Sequence, residues 1–209
     1  MKVLFIGDSV TDCGRLREQS ASLGQGYALM VAGELSYDLS GRDIEFANRG
    51  ISGNKITDLL ARWKRDCVSL APDVVSVLVG VNDVWHEFYR GDGVSGERFE
   101  QIYDILLEET KALLPAAKII LCEPFMLEGT AFDDFQSMYA ELATRRQTVE
   151  RLAEKHGCAF VPLQEVFNKA CETAPANYWL ADGAHPTHAG HMLIAREWIK
   201  IFLELINDK

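Results

Sequence analysis

A segment rich in Val and Leu, about a third of the way along the chain, constrains the fold more than any other feature. Residues Pro72–Val79 read PDVVSVLV, and their Val and Leu residues do not alternate with polar ones. A strand of this kind suits a parallel sheet that is covered on both faces. Because parallel strands need long crossover connections, usually helices, the rest of the chain should alternate between strands and helices.

The predicted elements alternate in this way. Short apolar segments typical of strands are Val3–Ile6, Ile44–Ala47, Lys118–Cys122 and Ala159–Leu163. Apolar residues at helical spacing predict helices over Gly26–Leu35, Thr57–Leu70, Glu97–Leu114 and Phe135–His156, a short helix after the last strand, and a closing helix over Thr187–Ile206. In the third helix we expect Phe99, Ile102, Ile105, Leu106 and Leu113 to face inward. No Pro, Gly or Ser linker divides the chain, so we expect residues 1–209 to form one three-layer α/β/α domain with a five-stranded parallel sheet.

Composition narrows the function. The net charge of −10 and the scattered basic residues argue against binding to nucleic acid or to an anionic membrane. No apolar run approaches the roughly 18 residues of a membrane span, and MKVLFIGDS is too short for a signal peptide. The five cysteines are odd in number and widely spaced, which is typical of reduced thiols. We therefore expect a cytoplasmic protein.

Polar and glycine-rich segments follow three of the strands and precede the last helix. They read GDSVTD from Gly7, NRGISGN from Asn48, GVNDVW from Gly80 and DGAHP from Asp182. In parallel α/β sheets, ligands bind at the carboxyl ends of the strands, near the point where the strand order reverses. We expect all four segments to meet at that edge.

Together these segments offer every group that acyl transfer requires. Ser9 can act as the nucleophile, His185 as its base, and Asp182 as the carboxylate that orients the imidazole. The backbone N–H groups of Ser9 and Gly53 and the side-chain amide of Asn82 can form an oxyanion hole. Read one at a time, these residues would be ordinary turn formers.

The four segments resemble the sequence blocks of the GDSL, or SGNH, esterases and lipases, which are named for Ser, Gly, Asn and His in that order. The match places Ser9 in GDSV, Gly53 in GISGN, Asn82 in GVND and His185 in DGAHP, and it spans residue 5 to about 191. Val10 stands where the family name has Leu. The resemblance implies a flavodoxin-like α/β fold, a Ser–His–Asp acyl-enzyme mechanism without a cofactor, and a small ester substrate.

The wider strings FIGDSVTDCGR, NRGISGN, GVNDVW and HPTHAGH look most like intracellular acetyl esterases that deacetylate xylo-oligosaccharides. This resemblance implies an acetylated carbohydrate as substrate, with Trp85 and Trp179 as walls of its pocket, and leaves a homo-oligomer open. A longer-chain lipase, lysophospholipase or thioesterase of the same family is the alternative.

Other classes stay open as alternatives. A flavodoxin-like module could bind phosphate or flavin at the Ser9–Thr11 loop. A metallophosphoesterase could use Asp8, Asp12 and Asn82 with the histidines. His185, His188 and His191 have a spacing of three residues, but Pro186 separates the first from the helix that follows, so we expect no metal site. The roles of His86, His156, His188 and His191 stay open. Gly91–Gly96 matches a dinucleotide motif, but no predicted strand precedes it.

Overall fold

A five-stranded parallel sheet forms the centre of the molecule. The computed structural model describes residues 1–207, so residues 208 and 209 of the expected 1–209 domain lie outside the described part of the chain. The strands are β1 (Lys2–Gly7), β2 (Glu45–Gly50), β3 (Val74–Leu78), β4 (Lys118–Cys122) and β5 (Ala159–Val161). They lie in the order β2-β1-β3-β4-β5, and every neighbouring pair is parallel. This is the flavodoxin-like strand order, and its reversal point lies between β1 and β3.

Helices cover both faces of the sheet. Their bounds are α1 (Ser9–Asp12), α2 (Tyr27–Asp38), α3 (Ile56–Asp66), α4 (Val81–Arg90), α5 (Gly96–Leu113), α6 (Phe135–His156), α7 (Leu163–Ala170), α8 (Ala176–Trp179) and α9 (His188–Asn207). The three-layer α/β/α fold agrees with the prediction from sequence. Among residues 1–207, no helix is long and apolar enough to cross a bilayer.

The alternation of side chains along β1 explains the two apolar cores. Val3 and Phe5 pack with α2, α7 and α9 on one face, where Trp198 is fully buried. Leu4 and Ile6 pack with α3, α5 and α6 on the other. Successive strand residues point to opposite faces, so a strand buried on both sides must be apolar throughout.

Two of the predicted helices differ in detail from those observed. Ile105 and Leu113 are 47% and 52% exposed, whereas Tyr103, Leu107 and Thr110 of α5 are buried. Phe99, Ile102 and Leu106 are buried as expected, so the inward face of α5 is only partly shifted from the expected one. The helix predicted over Thr57–Leu70 ends at Asp66, and a short 3₁₀ helix, Val68–Leu70, follows it.

Helix α4 was not predicted, because GVND has the composition of a turn. Val81, Val84, Trp85 and Phe88 do stand at helical spacing, although Phe88 and Tyr89 are exposed. The segment Gly91–Gly96 joins α4 to α5 and does not follow a strand. This placement agrees with our rejection of the dinucleotide motif.

Candidate active site

Ser9 lies immediately beyond the carboxyl end of β1, at the reversal point of the strand order. The chain turns there because the buried carboxyl group of Asp8 caps α1 and accepts a hydrogen bond from the Val10 N–H at 3.0 Å. Ser9 is thus the first residue of a single helical turn and is only partly buried. Its hydroxyl group is held at a fixed place beside a cleft.

Ser9, His185 and Asp182 form a continuous hydrogen-bonded chain. The Oγ of Ser9 is 3.1 Å from Nε2 of His185, and Nδ1 of His185 is 2.7 Å from Oδ2 of Asp182. An ionised carboxylate can only accept hydrogen bonds, so the proton of the neutral imidazole lies on Nδ1. Nε2 is then free to accept the Ser9 proton.

A tight turn holds Asp182 against the imidazole. The second oxygen, Oδ1, accepts the backbone N–H groups of Ala184 at 2.9 Å and His185 at 2.8 Å. Gly183 permits this turn with a φ of +99°. Burial by itself would raise the pKa of Asp182, but the hydrogen bonds from the His185 side chain and the two N–H groups lower it below its ordinary value. Asp182 is therefore ionised at neutral pH.

The three expected oxyanion donors belong to one cleft of about 500 Å³, whose lining includes Ser9, Gly53, Asn82 and His185. Gly53 is exposed and has a φ of +83°. Asn82 lies in the first turn of α4 and is buried, and its Nδ2 donates to the backbone carbonyl of Asn54 at 3.1 Å. One of its two amide hydrogens is therefore already bonded.

Trp85 and Trp179, which we expected at the substrate pocket, have different surroundings. Trp85 lines the cleft, with its ring 5.9 Å from that of His185 and 5.2 Å from that of Phe132. Trp179 does not line this cleft. Its indole N–H faces the carbonyls of Ala170 and Ala174, at 3.1 and 3.2 Å, and the ring packs against the core. Its nearness in sequence to Asp182 does not bring the indole to this cleft, and its role as a pocket wall stays a prediction.

The sequence did not reveal several further residues of the cleft. Tyr89 lines it four residues after Trp85, on the same face of α4. Its hydroxyl accepts the Asp133 N–H at 2.7 Å and donates to the Ala131 carbonyl at 3.2 Å. His86 and Arg90 of the same helix also line the cleft. Helical spacing would have identified all of them if α4 had been predicted.

The remaining histidines are divided between the core and the surface. His191 is buried; its Nδ1 accepts the Tyr27 N–H at 3.1 Å, and its Nε2 is 3.2 Å from the Cys13 sulfur. Burial lowers the pKa of His191 to about 4, so it is neutral at pH 7. His188 is exposed, and His156 pairs with Asp104. Within residues 1–207, no group of three His, Cys, Asp or Glu side chains is arranged to hold a metal ion.

The carboxylates that a metallophosphoesterase would use have other partners. Asp12 accepts hydrogen bonds from Arg17 at 2.9 Å and from the Ser52 N–H at 3.0 Å. Burial raises the pKa of Asp8 to about 6, and that of Asp83, next to Asn82, to about 8. These buried carboxyl groups support the turns that carry Ser9 and Asn82.

Comparisons with known proteins agree with this geometry. Residues 5–193 match the GDSL-like lipase/acylhydrolase family. The chain belongs to this family. It is 37% identical over 207 residues to an acetylxylan esterase of Geobacillus stearothermophilus, covering 95% of this chain and 92% of that protein. The chain is therefore a carboxylic ester hydrolase.

Solved structures of this esterase family have the same fold. A GDSL-like protein of Parabacteroides merdae has a TM-score of 0.92 at 40% identity, covering 96% of this chain and 94% of that one. The Geobacillus stearothermophilus acetylxylan esterase has a TM-score of 0.87 at 37% identity, covering 96% and 93%. Three variants of that enzyme, each with a Ser, an Asp or a His replaced by Ala, are described as catalytic mutants.

Proposed function

We propose that this protein hydrolyses small acyl esters, acetyl esters of xylo-oligosaccharides above all, through an acyl-enzyme on Ser9. The observation that carries the proposal is the unbroken chain of hydrogen bonds from Ser9 through His185 to Asp182, at the mouth of a cleft that also contains Gly53 and Asn82. The similarity to an acetylxylan esterase over almost the whole chain supports the choice of acyl group.

In the first half of the reaction, the Ser9 oxygen bonds to the ester carbonyl carbon while its proton passes to Nε2 of His185. Asp182 stabilises the imidazolium, and the N–H groups of Ser9 and Gly53 and the amide of Asn82 donate to the oxyanion. The bond to the alcohol then breaks, and Nε2 returns the proton to the departing oxygen. The acyl group remains on Ser9.

In the second half, water attacks the acyl-enzyme while His185 takes one of its protons. The tetrahedral intermediate collapses to the free acid, and the Ser9 oxygen recovers its proton from Nε2. No cofactor is required. Trp85 and Tyr89 give the cleft an aromatic wall that suits a sugar ring and leaves limited room for an acyl chain.

Covalent labelling tests the nucleophile. A sulfonyl fluoride or an organophosphonate should modify Ser9 and abolish hydrolysis of p-nitrophenyl acetate, and Ser9→Ala should fold but not turn over. Ser69→Ala, which changes an exposed serine on the 3₁₀ helix, is the matched control. Labelling at Ser52, with Ser9→Ala still active, would exclude the mechanism.

Acetylated xylo-oligosaccharides test the substrate, with release of acetate as the readout. Rapid release would support the carbohydrate assignment. Activity confined to octanoyl or longer esters would indicate a lipase or thioesterase instead.

The proposal also covers the setting of the reaction. We propose a cytoplasmic enzyme whose residues 1–209 form a single domain. The cytoplasmic location is supported by the state of the five cysteines, which are free thiols, as expected in a reducing compartment: Cys13, Cys67, Cys122, Cys158 and Cys171. Cell fractionation with an antibody tests the location.

A further inference from the structure

We propose that Asn54 and Arg62 are positioning residues that orient the Asn82 amide toward the oxyanion. The inference rests on the proposed function, in which Asn82 donates to the developing charge. The bond from Nδ2 of Asn82 to the carbonyl of Asn54, a residue that does not line the cleft, occupies one amide hydrogen. Because the amide group is planar, this bond also fixes the direction of the second hydrogen, which is free for substrate.

The Asn54 carbonyl can perform this task only if its own position is fixed. Asn54 lies in the loop between β2 and α3, next to Gly53, and loops of this kind are usually mobile. Its side-chain oxygen accepts a hydrogen bond from Nε of Arg62 at 2.8 Å. The orientation of Asn82 therefore depends on Arg62 through one intervening residue.

Arg62 is a rigid anchor for this loop. It lies on α3 with 6% of its surface exposed, and Asp66 balances its charge at 3.1 Å. The same guanidinium donates to the carbonyl of Arg49 on β2 at 2.7 Å and to that of Gly7 on β1 at 3.1 Å. A planar guanidinium with five donors can hold several carbonyl groups in one geometry.

These contacts tie the nucleophile to the oxyanion donors. Gly7 is two residues before Ser9, and Asn54 directly follows Gly53. The Ile56 N–H, at the end of this loop, also donates a hydrogen bond to Oδ1 of Asp83 at 3.0 Å. Together with the bond from Asn82 to the Asn54 carbonyl, it fixes the loop to the start of α4 at two points. Oxyanion donors must lie about 2.7–3.1 Å from the charge they stabilise, which makes small displacements costly to turnover.

The direct test is Asn54→Ala, which removes the acceptor for Arg62 but keeps the backbone carbonyl. We expect kcat on p-nitrophenyl acetate to fall about tenfold or more, while KM stays within about twofold, because the loss falls on the transition state. Lys55→Ala is the matched control, since Lys55 is in the same loop but its side chain contacts Asp92. A kcat for Asn54→Ala equal to that of Lys55→Ala would overturn the inference.

A double-mutant cycle separates positioning from a general loss of structure. Asn82→Ala alone should lower kcat about 100- to 1000-fold. If Asn54 acts through Asn82, adding Asn54→Ala to that variant should cause no further loss beyond about threefold. Losses that multiply in the double variant would overturn the inference while leaving the role of Asn82 intact. An Asn82→Ala enzyme with more than about a tenth of wild-type kcat would remove Asn82 from the proposed mechanism and the inference with it.

Asn54→Asp provides a rescue that does not depend on the stability of the Ala variant. It keeps an acceptor oxygen for Arg62, so kcat should return to within about fivefold of wild type. If Asn54→Asp is as slow as Asn54→Ala although both melt near wild type, the Arg62 contact does not orient Asn82.

Discussion

Replacing Asp83 by Asn removes a buried carboxyl group with little change of shape, and the effect on stability should depend strongly on pH. Asp83 is fully buried; its Oδ1 accepts the Ile56 N–H at 3.0 Å, and its Oδ2 has no hydrogen-bond partner among the described residues. Burial raises the pKa of Asp83 to about 8, the Ile56 N–H opposes this shift, and the nearby Asp8 adds to it. The carboxyl group is therefore protonated in the native state at pH 7.

Proton linkage gives the direction and the size of the change in stability with pH. An unfolded Asp has a pKa of about 3.9, so between roughly pH 4 and pH 8 the native state binds about one proton more than the unfolded state. The contribution of Asp83 to stability is complete below the unfolded pKa and is lost as the pH rises through the folded pKa of about 8. The wild-type free energy of unfolding thus loses about 1.4 kcal/mol per pH unit from this group, or about 2.7 kcal/mol between pH 5 and pH 7.

The Asn variant lacks this titration. Relative to wild type, Asp83→Asn should gain about 2.7 kcal/mol of stability between pH 5 and pH 7, and the difference should level off above about pH 8. Guanidinium unfolding, followed by tryptophan fluorescence at each pH unit from 5 to 9, measures it. Subtracting the two curves removes titrations that both proteins share, such as that of His191. Asp38→Asn controls for the loss of an exposed carboxylate on α2.

A difference between wild type and Asp83→Asn that stays constant from pH 5 to pH 8 would refute this reasoning. It would mean that Asp83 is ionised in the folded protein throughout that range. The nearby charge of Arg145, which acts to lower the pKa of Asp83, would then outweigh the effect of burial.

Three further predictions concern the substrate, the triad and the packing. Acetyl esters should be hydrolysed at least about tenfold faster in kcat/KM than octanoyl esters, or about 1.4 kcal/mol, because the bulky Trp85 ring lines the cleft 5.9 Å from the ring of His185. A chain-length series with p-nitrophenyl esters that favours octanoyl would contradict this. Asp182→Asn should lower kcat roughly 10⁴-fold because His185 would hold the wrong tautomer, while the melting temperature should stay near that of wild type. A loss of kcat below about tenfold would argue against the triad. Gly50→Ala would place a Cβ 2.2 Å from the Asp12 nitrogen. It should cost at least about 2 kcal/mol, or roughly 4–8 °C in Tm, and an unchanged melting temperature would contradict the packing.

The regular elements could be predicted where one pattern dominates. The bounds of β4 and α6 agree with those expected from sequence, because β4 is a short unbroken apolar run and α6 carries apolar residues at helical spacing. Helix α5 was found, but its inward face was misjudged at Ile105 and Leu113. Successive residues of a helix are rotated by about 100°, so two adjacent faces can both carry apolar side chains. Which of the two faces is buried depends on the elements that pack against the helix.

The sequence predicts the residues of the candidate site but not the hydrogen bonds that hold them in place. Ser9 stands in a polar segment after β1, Asp182 and His185 stand in another before α9, and the structure brings all three together. The bonds that orient the site join residues far apart in sequence. Two examples are the contact of His191 with the Tyr27 N–H and that of Arg62 with the Gly7 carbonyl. Both depend on the completed fold, so no local sequence pattern predicts them.

The distance along the chain between Ser9 and His185 sets an order of events during synthesis. Their hydrogen bond joins residues 176 positions apart. At roughly 5–20 residues per second, a nascent chain contains Ser9 for roughly 9–35 s before His185 is made. Under the proposed mechanism Ser9 has no base during that interval, so the growing polypeptide should not hydrolyse esters.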